Sequence, residues 1–173
     1  MACRYCKLLP MVLGPTTTDP ARRKNMQAIR SRGNRSTEWR LRAMLVRRGI
    51  RGWETHARDI LGVPDFFFPV ERLAVFVDGC FWHCCPKCGH MPKSNVTYWQ
   101  PKIGRNKARD RRVSAHLRKS GYTVLRIWEC DIRLNLEQCA VRVSTILQSK
   151  SAKLVRSGLT ATQEDRALDG QAG

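Results

Sequence analysis

Apolar residues along this chain recur at two different spacings, and the switches between them mark its elements. In STEWRLRAMLVRRG, Leu41, Met44, Leu45 and Arg48 fall at helical intervals before Gly49, which predicts a helix that stops there. Upstream, PARRKNMQAIRSR reads as a shorter basic helix. VPDFFFP, RLAVFVDG and YTVLRIWEC are short apolar runs rich in strand formers, and they are predicted to form the centre of a sheet. Helical spacing returns in KIGRNKARDRRVSAHLRKSG, where Val113 and Leu117 face inward. It recurs in LNLEQCAVRVSTILQ, where Leu136, Val143 and Leu147 share one side. Two helices, two strands, a helix, a strand and a last helix predict a mixed α/β layer fold with no internal repeat.

With 173 residues and 19.8 kDa, the chain has room for one domain with a real core and not for a second. That domain is expected over residues 21–149. The Pro/Thr-rich stretch GPTTTDP in residues 1–20 and the polar, small residues of 150–173 read as flexible ends. MACRYCKLLPMVLG superficially resembles a signal peptide. Its apolar run is short, Pro10 breaks it and no clear small-x-small cleavage site follows, so a reducing cytoplasm is the expected compartment. No run approaches the roughly 20 apolar residues of a membrane-spanning helix.

Charge narrows the class of partner. Lys and Arg number 32 against 14 Asp and Glu, a net +18, and the basic residues recur throughout residues 22–133. A basic excess spread along the fold predicts a polyanionic partner, nucleic acid above all.

Cysteine spacing adds a metal. Four of the eight cysteines fall within GCFWHCCPKCGH, and Cys84 and Cys85 are adjacent, which suits thiolate ligation better than a disulfide framework. Cys85-Pro86-Lys87-Cys88 is a C-x2-C pair of the kind a tight turn presents to one zinc ion. With Cys80 and the more distant Cys130, it predicts a closed Zn2+ site of Cys80, Cys85, Cys88 and Cys130. Cys84 could replace Cys85, and His83 and His90 are competing ligands. Four thiolates leave no position for water, so such a zinc is structural, and the chemistry must lie elsewhere.

Acids are scarce enough that those near the predicted sheet stand out: Asp65 at the head of DFFF, Asp78 at the end of the next strand, Glu38 on a helix and Asp110 within KARDRR. Hydrolysing a phosphodiester calls for a cation on the phosphoryl oxygens, and a hard Mg2+ is held by one or two carboxylates with waters and substrate oxygens. Asp65 beside the end of a second strand meets that need, or it is simply a strand cap. His83 has a proton affinity suited to a general base, with zinc ligation or a loop hydrogen bond as alternatives. Asp110 either fixes the tautomer of His83 or pairs with neighbouring arginines. Phe81, Trp82, Tyr98 and Trp99 sit among basic residues as candidate wedges for a base stack, or as core.

Taken in order, RRKNMQAIRSRGNRSTEWRLRAML, GVPDFFFP, VFVDGCFWHCCPKCGHMPKSN, YWQPKIGRNKARDRR and GYTVLRIWECDIR resemble the very-short-patch repair (Vsr) DNA mismatch endonucleases over roughly residues 21–133. The resemblance implies a restriction-endonuclease-like fold of the PD-(D/E)xK type, with a structural zinc in a mixed sheet flanked by helices. It also implies an Mg2+-dependent nick on the 5′ side of the thymine in T:G mismatches left by deamination of 5-methylcytosine. By position, Asp65 and the main-chain carbonyl of Val77 would bind Mg2+. His83 would be the general base, Asp110 its supporting partner and Glu38 an outer acid on metal-bound water. Phe81, Trp82 and Trp99 would enter the base stack, and Met26 and Ile29 would approach the minor groove. Cys80 and Cys130 match zinc ligands directly. The implied setting is a monomer acting in the bacterial nucleoid, on duplex DNA carrying a T:G mismatch, alongside mismatch-repair proteins and a cognate cytosine-5 methyltransferase. The sequence departs from the family at Val77-Asp78, where the best-known members carry threonine-histidine, and at HCCPKC, where they carry a histidine-rich loop. Asp78 is thus an additional candidate for metal binding or for orienting water.

Overall fold

The computed structural model describes residues 37–156, except positions 90 and 94. The elements run α1 (Glu38–Arg47), β1 (Glu54–Thr55), β2 (Phe66–Phe68), β3 (Leu73–Asp78), α2 (Val96–Lys119), β4 (Thr123–Trp128), α3 (Glu129–Leu134) and α4 (Leu136–Arg156). The basic helix predicted over PARRKNMQAIRSR, with Met26 and Ile29, lies outside the described residues.

The sheet order is β1-β2-β3-β4. β1 and β2 are antiparallel, as are β2 and β3, whereas β3 and β4 are parallel and are joined through α2. The three predicted apolar runs are the three adjacent strands β2, β3 and β4. Their alternation sends side chains to both faces, and both faces are covered, which explains why the runs are apolar almost throughout. Phe66, Phe68, Leu73, Val75, Leu125 and Ile127 pack with Leu41 and Leu45 of α1 and with Ala140 and Val143 of α4. Phe67, Ala74 and Phe76 pack against Val113 and Leu117 of α2. Of the positions named for these helices, Leu41, Leu45, Val113, Leu117 and Val143 are in the core, Met44, Leu136 and Leu147 pack against it half-buried, and Arg48 is exposed.

Several boundaries differ from the sequence reading. β1 is two exposed residues with no apolar signal of their own. α2 begins at Val96 and takes in Pro101, so Tyr98 and Trp99 lie on a helix and not in a loop. YTVLRIWEC is a strand only to Trp128; its last two residues open α3, so Cys130 is helical. α4 runs on to Arg156, past the domain end expected at 149.

Candidate active site and metal centres

A tight loop delivers the PD pair. Gly62 takes φ +86, and a Cβ there would lie 2.5 Å from Val113 Cγ1, so the chain passes too close to α2 for any side chain. Val63 follows at φ +52, a conformation that is costly for a β-branched residue. Pro64 is fully buried. Asp65 then enters at the head of β2, where its Oδ2 accepts a hydrogen bond from the Val77 N–H of β3 at 2.7 Å.

Glu38, at the start of α1, comes to the same place, and so does His56, just after β1. His56 Nε2 lies 3.6 Å from Glu38 Oε2, and its Nδ1 lies 3.9 Å from Asp65 Oδ1. The three side chains each offer a donor atom, all within 4.8 Å of one another. Burial pushes the Asp65 carboxyl up from 3.8 to about 7, against the Val77 hydrogen bond and Arg126, with Glu38 and Asp78 adding to the rise. A carboxylate that is costly to ionise unaided, beside a second carboxylate, suits a divalent cation chemically, because the cation removes that cost.

The second group of polar side chains begins one residue further along β3. His83 Nδ1 is hydrogen-bonded to Asp110 Oδ2, from α2. Asp110 Oδ1 lies 3.3 Å from Arg126 Nη2, and Arg126 grips both oxygens of Asp78 at 2.6 Å each. Burial alone would raise the Asp110 carboxyl; the His83 hydrogen bond and the charges of His83, Arg126 and Arg109 hold it below its usual value. Asp78, the additional candidate for metal binding or for orienting water, is found paired with Arg126. It is 3% exposed, and both oxygens are engaged by Arg126, so its visible action is to hold that arginine against Asp110. Its Oδ1 is 3.9 Å from His83 Nδ1. Arg126 and His56 were not singled out from sequence. Arg126 did leave a signal, a charged residue alternating with the inward-facing positions of an apolar strand.

Cys80, Cys85, Cys88 and Cys130, the four cysteines anticipated from spacing, bring their sulfurs within 4.8 Å of one another. Cys85 Sγ and Cys130 Sγ are 3.7 Å apart, too far for a disulfide and close to the ~3.8 Å edge of a tetrahedron with 2.3 Å metal–sulfur bonds. Burial raises the Cys80 thiol strongly and the Cys130 thiol to about 11. Against the cost of burial, the N–H groups of Cys88 and Lys87 hold Cys85 below its usual value. A loop that aims N–H groups at one sulfur of four fits a metal-bound thiolate set. The turn depends on Gly89: a Cβ there would sit 2.4 Å from Cys85 N and 2.5 Å from its carbonyl oxygen. Cys84 is buried at φ +50 and is outside the cluster, and His90 lies outside the described residues.

Phe81, Trp82 and Trp99 form one edge-to-face cluster, with centroids 5.1 to 5.8 Å apart, and Tyr98 extends it at 5.0 Å from Trp99. None of the four is buried, and Lys102 Nζ lies within 6 Å of the Trp82, Tyr98 and Trp99 rings. Asn106 of α2 donates to the Trp82 carbonyl at 3.1 Å, tying the loop that carries His83 to the helix that carries Asp110.

Comparison with known proteins gives this arrangement its class. Residues 16–88 match the family described as DNA mismatch endonuclease Vsr. The chain is 42% identical over 123 residues to the type II nicking enzyme V.NaeI of Lentzea aerocolonigenes, covering 66% of this chain and 71% of the relative. It is 43% identical over 114 residues to the type II nicking enzyme V.XorIIP of Xanthomonas oryzae pv. oryzae, covering 64% and 81%. To the DNA mismatch endonuclease Vsr of Escherichia coli K12 it is 36% identical over 115 residues, covering 65% and 71%. The protein is a DNA endonuclease. Within that class, the chain belongs to the Vsr DNA mismatch endonuclease family.

Proposed function

We propose that this endonuclease nicks one strand of duplex DNA on the 5′ side of the thymine in a T:G mismatch, using Mg2+ held by Asp65, with the Val77 carbonyl as a further ligand and Glu38 acting through bound water. The observation that carries the proposal is the meeting of two groups at consecutive residues of β3: the Val77 N–H holds the Asp65 carboxylate, and Asp78 leads to the His83–Asp110 pair. A bound divalent ion would neutralise charge on the phosphoryl oxygens.

The protein's own groups supply the rest. With Nδ1 turned to Asp110, Nε2 of His83 is the nitrogen that accepts a proton from water attacking the phosphorus, while the bond from phosphorus to the leaving sugar oxygen breaks. Asp110, its carboxyl held below the usual value by His83 first and by Arg126 and Arg109 with it, steadies the imidazolium so formed. Phe81, Trp82 and Trp99 offer faces for a base stack opened at the mismatch, and Lys102 beside them adds a contact for phosphate. The four cysteines would hold a structural Zn2+ that fixes the His83 loop to α3, and the methyltransferase and repair partners of the family fit the same setting. Among the described residues no helix is long and apolar enough to cross a membrane, and the net charge of +18 suits a DNA substrate.

The test is single-turnover nicking in Mg2+ of duplexes holding one T:G pair in varied sequence contexts, against the same duplexes with T:A. Cleavage confined to the thymine strand of T:G duplexes is expected. Equal cleavage of T:A duplexes would replace mismatch recognition with a matched-site activity, and intact strands throughout would reject the reading.

A further inference from the structure

His56 has no role in the reaction described so far, yet it stands inside the carboxylate site. Its backbone takes φ +53, and its N–H donates to the Asp65 carbonyl at 3.4 Å, so the ring is anchored to the very residue it faces. The imidazole spans the site, with Nε2 towards Glu38 Oε2 and Nδ1 towards Asp65 Oδ1. Nδ1 is buried and has no hydrogen-bond partner. If the proton sits on Nε2, facing Glu38, the Nδ1 lone pair is directed at a carboxylate oxygen 3.9 Å away. Two electron pairs facing each other across such a gap repel unless a proton or a cation lies between them. A buried polar atom left in that position is unfavourable.

We propose that His56 Nδ1 is a direct ligand of the divalent ion held by Asp65, so that this chain's nuclease site is a mixed nitrogen–oxygen site that prefers Mn2+ to Mg2+. Imidazole nitrogen is a borderline ligand that favours transition ions, whereas Mg2+ favours oxygen ligands and keeps its waters. The proposal rests on the assignment of Asp65 as the metal carboxylate. Glu38 Oε2, 3.6 Å from Nε2, then favours the tautomer with its proton on Nε2, as carboxylates behind metal-bound histidines generally do.

The experiment uses the full-length protein, carrying whatever metal its cysteines retain after exhaustive dialysis, titrated with Mn2+ and with Mg2+ by calorimetry. Wild type is expected to bind Mn2+ at least tenfold more tightly than Mg2+. His56→Gln is expected to bring that ratio to within about threefold by weakening Mn2+, and Asp65→Asn to abolish both. Electron spin-echo envelope modulation of the wild-type Mn2+ complex gives a reading independent of whether the variant folds: 14N modulation from a directly bound imidazole is expected. Absent nitrogen modulation, or a ratio unchanged in a folded His56→Gln, would overturn the role of His56 while leaving Asp65 as ligand. Unchanged binding in Asp65→Asn would instead remove the metal assignment on which the inference stands.

Discussion

Two clusters of ligating side chains sit on either side of the end of β3, and they are built in opposite ways. The cysteine cluster takes three of its four residues from one nine-residue stretch, is closed by soft donors and draws only Cys130 from elsewhere. The carboxylate cluster takes Glu38, His56 and Asp65 from three separate segments and offers three hard or borderline donors, one fewer than the cysteines. In the proposed roles, the contrast separates a site that holds a loop in place from one that must admit a phosphodiester. A closed thiolate set can only stabilise, while an open set of hard donors can exchange water for substrate.

The comparison is sharpened first by removing the base. His83→Ala should lower single-turnover nicking on the order of 10²- to 10⁴-fold with little change in DNA affinity, whereas Asp110→Asn, which keeps the ring but upsets its tautomer, should cost less. If His83→Ala nicks as fast as wild type, the proton acceptor lies elsewhere. Breaking the other cluster should act on stability: Cys85→Ser is expected to lower Tm by on the order of 10 °C and to release bound zinc. An unchanged Tm with full zinc content would show that Cys85 is not a ligand.

The two sites also differ in how far the sequence disclosed them. The cysteine cluster was legible because ligand spacing is written locally, and Cys130 alone needed the strand assignment that returns it to the 80s loop. The sheet and its core were legible because β2, β3 and β4 are buried on both faces and leave continuous apolar runs. Of the carboxylate site, Asp65 and Glu38 stood out as scarce acids and took metal roles from the family resemblance, but their meeting with His56 depends on how three separate segments assemble. His56 was missed because a lone histidine in an exposed segment carries no periodicity. Asp78 was read as a candidate for metal binding or for orienting water, and nothing local shows that Arg126, 48 residues on, takes both its oxygens. Helical spacing was read only from Lys102 onward, which hid the helical placement of Trp99 among the other rings.

A smaller effect comes from the acid held in an unfavourable place. Asp65 has a folded-state value raised to about 7, so without metal its protonated form stabilises the fold, and that contribution is complete below 3.8 and disappears as pH rises through 7. Asp65→Asn should therefore be more stable than metal-free wild type at pH 8, by up to a few kcal/mol, and the gain should vanish near pH 4. Thermal melts in chelator across that range check it, and a gain independent of pH would contradict the cause given. The smallest effect should come from Trp99→Ala, which is expected to weaken binding to mismatched duplex by about 1–3 kcal/mol while leaving Tm and zinc content nearly unchanged.

The division of labour between the clusters is tested most directly by metal content measured alongside nicking. After exhaustive dialysis against EDTA at moderate strength, one zinc per chain should remain, nicking should be lost, and Mg2+ alone should restore it. If activity instead follows the zinc, returning only when zinc is added back, the thiolate cluster is the catalytic centre and the assignment of the two sites is reversed.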